Sequence, residues 1–289
     1  MSRNILVIGG TNYFGKHLVE MLLTAGDRLW IAARGNNPIP PQASFIYFDR
    51  LNNVPLKTNT VYDLVYDQSC YTSSTLNNLL KVIRNCGTYI LTSSQAVYQN
   101  NLALKEDRID YNKIDEYKDK INNYGMEKLK AEAYVAKQAI NYIFPRFPII
   151  LGKNDPRTRL QNLIKHIKSS RVNLPLSNPL LQYLDEYNAA TSLYKLPLSK
   201  HNGAINIACP EIITAQELCQ TIAKLIGKEL KINWCTNYTF TPFDLVKDAT
   251  KTLDTAKQTI LDLKFKNINN ILKEIEPSLN LQSNYLGSQ

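Results

Sequence analysis

The chain has 289 residues, 44% of them hydrophobic and 20% charged, and its 34 basic against 25 acidic side chains give a net charge of +9. This is the composition of a folded chain with material for one large α/β domain or two closely joined ones, and it excludes a disordered one. No run reaches the roughly 20 apolar residues that a membrane span needs, and the segment from Met1 to Asn4 opens no leader-like apolar stretch, so a cytoplasmic location is expected.

Cys70, Cys86, Cys209, Cys219 and Cys235 are scattered and never spaced Cys-x-x-Cys, and only His17, His166 and His201 could join them. Reduced thiols and no metal site are therefore expected. The positive charge is read as a solvated basic surface ahead of a nucleic-acid surface.

Asn4 to Ile8 reads as a buried parallel strand, apolar after its first residue and ending at glycines. The loop Gly9-Gly10-Thr11-Asn12-Tyr13-Phe14-Gly15 follows, and then a helix on which Phe14, Leu18 and Leu22 share a face and Gly26 stands at the C-cap. Strand, glycine turn and helix in this order suit a dinucleotide diphosphate, received by loop amides and the helix N-terminus. Gly9, Thr11, Asn12, Tyr13, Phe14 and Gly15 are thus candidate cofactor contacts. Asn12 stands where the middle glycine of the usual pattern would be, and a positive φ is expected there, which asparagine tolerates.

Leu29 to Ala33 reads as a second strand, ended by Arg34 instead of the acidic residue that usually meets a ribose 2′-hydroxyl, so NADP is favoured over NAD. Phe45 to Phe48 is a third strand, followed by Asp49 and Arg50, and Val61 to Tyr66 a fourth, followed by Asp67-Gln68-Ser69-Cys70. Loops after parallel strands line the ligand crevice, which adds Asp49, Arg50, Asp67 and Gln68 to the cofactor candidates. Leu76, Leu79, Leu80 and Ile83 mark a helix closed by Gly87, and Tyr89 to Leu91 a fifth strand that delivers Thr92-Ser93-Ser94 to its end. The alternation predicts a doubly wound parallel sheet of the Rossmann type.

Gln99 to Asn123 reads as a polar surface excursion. In the helix after it, Tyr124 and Lys128 stand at i and i+4 and share a face, where an ammonium would lower the pKa of a phenol and ready it for proton exchange. Tyr142 to Phe147 is a sixth strand. Residues 1–150 are assigned to the dinucleotide-binding part and 151–289 to a smaller mixed part for the substrate, interleaved with the first around 182–208. In that second part Leu160, Leu163, Ile164 and Ile167 mark a helix flanked by Arg157, Arg159, Lys165 and Lys168, cations that suit a diphosphate or only solvent. A helix around Asp185 to Leu196, a strand from Ala204 to Ile207, a capping box at Thr214 and Glu217 and a last helix with Leu272 and Ile275 complete the reading.

The glycine loop, Ser93-Ser94-Gln95-Ala96-Val97-Tyr98 and Tyr124-Gly125-Met126-Glu127-Lys128, in this order, resemble the extended branch of the short-chain dehydrogenase/reductase superfamily, the NAD-dependent epimerase/dehydratase family. Arg146 to Gly152 and Asn206 with Thr214-Ala215-Gln216-Glu217-Leu218 resemble its later motifs. The resemblance implies Ser94, Tyr124 and Lys128 as catalytic residues: Tyr124 exchanging a proton with a substrate hydroxyl or carbonyl, Ser94 bonding the same oxygen, and Lys128 binding the nicotinamide ribose. It also implies a nucleotide sugar as substrate and a homodimer, and Gln95 after Ser94 joins Arg157 and Arg159 as a candidate substrate contact.

Departures refine this. Gln95-Ala96 replaces the Asp-Glu pair of the family's 4,6-dehydratases, which disfavours dehydration, and Gln99 replaces a glycine usual after Val-Tyr. The Asn12 form of the loop with Ala33-Arg34 resembles an atypical subgroup that includes chloroplast stem-loop RNA-binding proteins. An RNA-binding or regulatory role with a retained dinucleotide site is therefore one alternative to an epimerase or oxidoreductase, and reduction of a small ketone is another.

Overall fold

In Asn4–Ile8 (β1), Ile5 and Val7 face one way and Leu6 and Ile8 the other, and all four are buried. A strand buried on both faces needs cover on both, which suits a parallel sheet with helices packed on its two faces. The computed structural model describes residues 2–52, 54–99, 101–169, 172–236 and 251–283. After β1 come Tyr13–Thr24 (α1), Arg28–Ala33 (β2), Ser44–Tyr47 (β3) and Leu64–Asp67 (β4). A 3₁₀ turn, Ser73–Leu79, runs into Leu80–Arg84 (α2), followed by Thr88–Leu91 (β5), Ser93–Ser94 (β6), Asn123–Ala136 (α3) and Asn141–Phe147 (β7).

The main sheet has the order β3-β2-β1-β4-β5-β7, with β6 also on β7, and Gly203–Asn206 (β11) completes it beside β7. Every pairing in it is parallel. On one face Ile5, Val7 and Ile31 pack with Leu18 and Leu22 of α1 and Leu193 of Glu186–Lys195 (α5). On the other, Leu6, Ile8 and Val65 pack with Leu76, Leu79, Ala131 and Val135. The strand order reverses between β1 and β4, and there the loops at the C-terminal edge part to leave a crevice.

The remaining elements build a second core. Ile149–Leu151 (β8), Leu180–Asp185 (β10) and Ile212–Thr214 (β12) form one small sheet, and Val172–Pro175 (β9) pairs with Ile232–Cys235 (β13). Arg159–Ser169 (α4), Ala215–Leu225 (α6) and Ile268–Ser283 (α7) cover them through Leu163, Ile167, Leu218, Ile222, Leu272 and Ile275. Between these stretches the chain returns to the main sheet with α5 and β11. The capping box at Thr214 and Glu217 is formed in full.

Several sequence expectations shift. The fourth strand begins at Leu64, because parallel register sets Ile5 against Leu64, and Val61 is 67% exposed. The third strand is Ser44–Tyr47, one residue earlier than read. Gly87 does not close a helix: α2 ends at Arg84 with Asn85 as its cap, and a β-carbon at Gly87 would lie 2.6 Å from the Asp63 carbonyl oxygen. Gln99 to Asn123, apart from residue 100, which is outside the described residues, is more than a surface excursion. Leu104 is buried and bridges to Leu253, and the buried Glu106 accepts the Asn206 N–H at 2.9 Å. The short elements expected near the end fall partly at 237–250 and 284–289, outside the described residues.

Candidate active site

Because all strands of the main sheet run the same way, the glycine loop, the loop after β4 and Ser94 reach the same edge. Gly9 and Gly10 adopt φ of +91° and +77°, the left-handed region that favours glycine. A β-carbon at Gly15 would lie 2.7 Å from the Gly10 Cα and would also strike the Gln68 side chain, so α1 starts this close to β1 only with glycine there. The expectation for Asn12 is corrected: its φ is −146°, extended, and the positive φ falls on Tyr13, at +54°. Asn12 instead caps α1, its Oδ1 accepting the Tyr13 N–H at 2.8 Å.

Beside this loop lies a cavity of about 300 Å³ bordered by Gly9, Thr11, Arg34, Asn37, Asp49 and Tyr71 among others. Arg34 is exposed, and Asn37 donates to the Thr11 hydroxyl at 3.2 Å. Asp49 accepts the Leu51 N–H at 3.0 Å, which fixes the turn at the cavity rim. Arg50 and Asp67, both read as cofactor contacts, are buried against each other at 2.6 Å, with Tyr89 donating to Asp67 and Arg50 to Thr75. That pair braces the cavity floor and leaves Arg50 Nε buried without a partner. Gln68 Nε2 is likewise buried without a partner, a donor aimed at no protein acceptor. Phe14 packs edge-on against Phe147 at 6.2 Å and anchors the start of α1. The glycine cradle, the orphaned amide and the cavity beside them fit a dinucleotide.

Ser94 is held by β6, which pairs with β7 through Ser94 and Phe147, and its hydroxyl accepts the Ala96 N–H at 3.2 Å. Across from it α3 begins, capped by Asn122, which accepts the Gly125 N–H at 2.8 Å. Tyr124 opens the face continued by Lys128 and Glu132. Glu132 and Arg146, both fully buried, pair at 2.7 Å, and Ser93, Tyr98 and Tyr111 complete their hydrogen bonds. This clamp ties α3 to β7 directly below the site.

Tyr124 is 43% exposed, and partial desolvation by the surrounding protein raises its pKa above the ordinary 10. The Ser94 hydrogen bond and then the positive charges of Arg157 and Arg159 oppose that rise. The expected lowering by Lys128 is therefore corrected: desolvation outweighs it, and the cations that favour the phenolate come from the second part of the chain. Lys128 is buried and donates to the Thr92 carbonyl at 2.9 Å, and burial lowers its pKa.

Of the substrate candidates, Gln95 has a buried Oε1 without a partner beside Ser94. Arg157 is exposed, with no side-chain hydrogen bond among the described residues. Arg159 is held through one nitrogen by Asp155 at 3.1 Å and by the Ile150 carbonyl at 3.2 Å, while its Nε is buried without a partner. Lys165 and Lys168 are exposed on the outer face of α4. Sequence reasoning missed Tyr71, whose ring stands 6.5 Å from that of Tyr124. The available signal was its place one residue beyond the run Asp67 to Cys70. Among the described residues no cluster of His, Cys, Asp and Glu could hold a metal, and no helix is long and apolar enough to cross a membrane.

The NAD dependent epimerase/dehydratase family matches residues 5–186. Comparison with curated proteins finds no match. Among solved structures, the UDP-glucuronic acid 4-epimerase of Bacillus cereus in complex with NAD superposes with a TM-score of 0.73 at 17% identity, over 96% of each chain. The UDP-glucose 4-epimerase of Thermotoga maritima with UDP-glucose gives 0.72 at 15% identity, over 97% of this chain and 99% of its own. The UDP-N-acetylglucosamine 4-epimerase of Methanobrevibacter ruminantium M1, in complex with UDP-N-acetylmuramic acid, gives 0.73 at 16% identity, over 98% of this chain and 99% of its own. Likeness at these identities establishes a common fold.

Proposed function

The chain belongs to the NAD dependent epimerase/dehydratase family, and we propose that it is a nicotinamide-dinucleotide-dependent epimerase or reductase acting at a hydroxyl or keto carbon of a nucleotide sugar or related compound. The observation that carries this reading is the meeting of Ser94, Tyr124 and Lys128 at the sheet edge where the glycine loop opens. NAD and nucleotide sugars in the names of the structural neighbours support the choice of cofactor and substrate class. When bound, the dinucleotide would supply hydride exchange at the reacting carbon.

The chain's own residues do the rest. The amides of the glycine loop and the N-terminus of α1 would hold the diphosphate, with Gln68 Nε2 as a further donor. Arg34, exposed at the cavity and followed by Asn37, suits a ribose 2′-phosphate, so NADP is the preferred form in this reading. Tyr124 exchanges the proton with the substrate oxygen. Ser94 donates a hydrogen bond to that oxygen, and Arg157 and Arg159 favour the phenolate through their charge. Gln95 and Ala96 after Ser94 offer no acid to expel water, which disfavours a dehydratase.

The test is thermal shift with NADPH and NADH, followed by turnover of UDP-glucose and UDP-glucuronic acid by wild type and Tyr124→Phe. The expected result is a shift with at least one dinucleotide, larger for NADPH, and a variant that keeps the shift but loses about 10²- to 10⁴-fold in turnover. Absence of any shift together with absence of turnover sinks the proposal.

A further inference from the structure

Tyr71 lies at the seam between two parts of the site. It borders the cavity beside the glycine loop and is 61% exposed. On its other side the Lys128 ammonium stands 5.4 Å from the Tyr71 ring centroid and 5.9 Å from that of Tyr124, so one cation lies beside two neighbouring phenol rings. Two residues on, the Ser73 N–H and hydroxyl both donate to Glu127, at 2.9 and 2.8 Å, and Glu127 directly precedes Lys128. The cavity wall and the helix bearing Tyr124 and Lys128 are thus joined twice within three residues.

An ammonium has three donors, and the Thr92 carbonyl takes one. A buried cation so thinly bonded costs free energy unless something else favours its charge. The groups facing it are Asp67 and Cys70 at the end of β4, Arg50, Tyr71 and Tyr124. Asp67 already neutralises Arg50 at 2.6 Å, and burial pushes the Cys70 thiol up to about 11, so it carries no charge at neutral pH. Asp67 still favours the ammonium through space, and the negative faces of the two aromatic rings add to it.

We propose that Tyr71 is a positioning residue of the dinucleotide site, holding the Lys128 ammonium against its ring and coupling the cavity wall to α3. This rests on the reading that the cleft takes a nicotinamide dinucleotide. Because Tyr71 is mostly exposed, its replacement leaves the fold intact, and leucine keeps bulk without a ring while phenylalanine keeps the ring without the hydroxyl.

The experiment measures the Kd of NADPH and NADH by nicotinamide fluorescence from about pH 6 to about pH 10 for wild type, Tyr71→Leu and Tyr71→Phe, with melting temperatures as the control for folding. The expected result is that Tyr71→Leu binds about tenfold more weakly and loses affinity at a lower pH than wild type, since the ammonium gives up its proton sooner without the ring. Tyr71→Phe keeps both values. Leucine binding as wild type at every pH overturns the inference, and so does phenylalanine losing as much as leucine. Wild type binding neither dinucleotide overturns it together with the reading on which it rests.

Discussion

Gly125 and Ala96 meet main chain to main chain: a β-carbon at Gly125 would fall on the Ala96 carbonyl oxygen. This contact sets how closely the helix bearing Tyr124 approaches the turn that follows Ser94. Neither partner is a side chain that can rotate away, so Gly125→Ala has to lift α3 from the turn. The expected cost is about 1–3 kcal/mol of stability from overpacking and about 10²-fold in turnover from misplacing the phenol. Urea unfolding and steady-state rates check both, and an alanine variant with wild-type turnover would show that the contact is slack.

The Glu132–Arg146 pair below the site is fully buried and satisfied by Ser93, Tyr98 and Tyr111. Removing one member leaves the other charged and unpaired, so Arg146→Met is expected to cost about 3–5 kcal/mol. Glu132→Gln combined with Arg146→Met is expected to cost less than the sum of the two singles. A double-mutant cycle in urea measures the difference, and additive losses would mean the two charges are independent.

The Asn12 side chain takes the Tyr13 N–H at 2.8 Å, an amide at the mouth of the proposed diphosphate site. A phosphate has to displace that bond before it can accept from the same N–H. Asn12→Gly is therefore expected to tighten NADPH several-fold while costing only a few tenths of a kcal/mol in capping. Calorimetric titration of the two proteins decides the sign, and weaker binding by the glycine variant would reverse the account.

Glu186 is a buried carboxyl whose Oε1 accepts from Asn154 at 2.9 Å and stands 3.7 Å from His17, while Oε2 has no partner. Burial raises its pKa above 4.5, against the opposing pull of His17 and Asn154. A raised value means that the folded chain holds a proton the unfolded chain releases. The stabilisation is fully present below about 4.5 and is lost as pH rises through the folded value. Glu186→Gln is thus expected to melt near wild type in acid and above it at neutral pH. Melting curves across that range test this, and a variant less stable than wild type at neutral pH would show that the carboxylate's contacts outweigh its desolvation.

Much of the site was readable because its chemistry is local. The strand from Asn4 to Ile8, the turn at Gly9 and Gly10, and the i, i+4 spacing of Tyr124 and Lys128 each depend on residues within one or two turns of chain. Tyr71 was not readable in the same way, since nothing near it in sequence says that its ring will stand beside α3. Arg50 and Asp67 were read as ligand contacts because each follows a strand, and their pairing with each other appears only when β3 and β4 lie in one sheet.

From the order of its residues alone the chain is determined to be a parallel α/β fold with a glycine loop and a Ser, Tyr and Lys set, since periodicity and turn chemistry act over a few residues. Tertiary structure decided the ionisation of that set. Desolvation and charge act through space, and the Ser94 hydroxyl and the arginines that pull the Tyr124 pKa back come from segments about 30 residues away on either side.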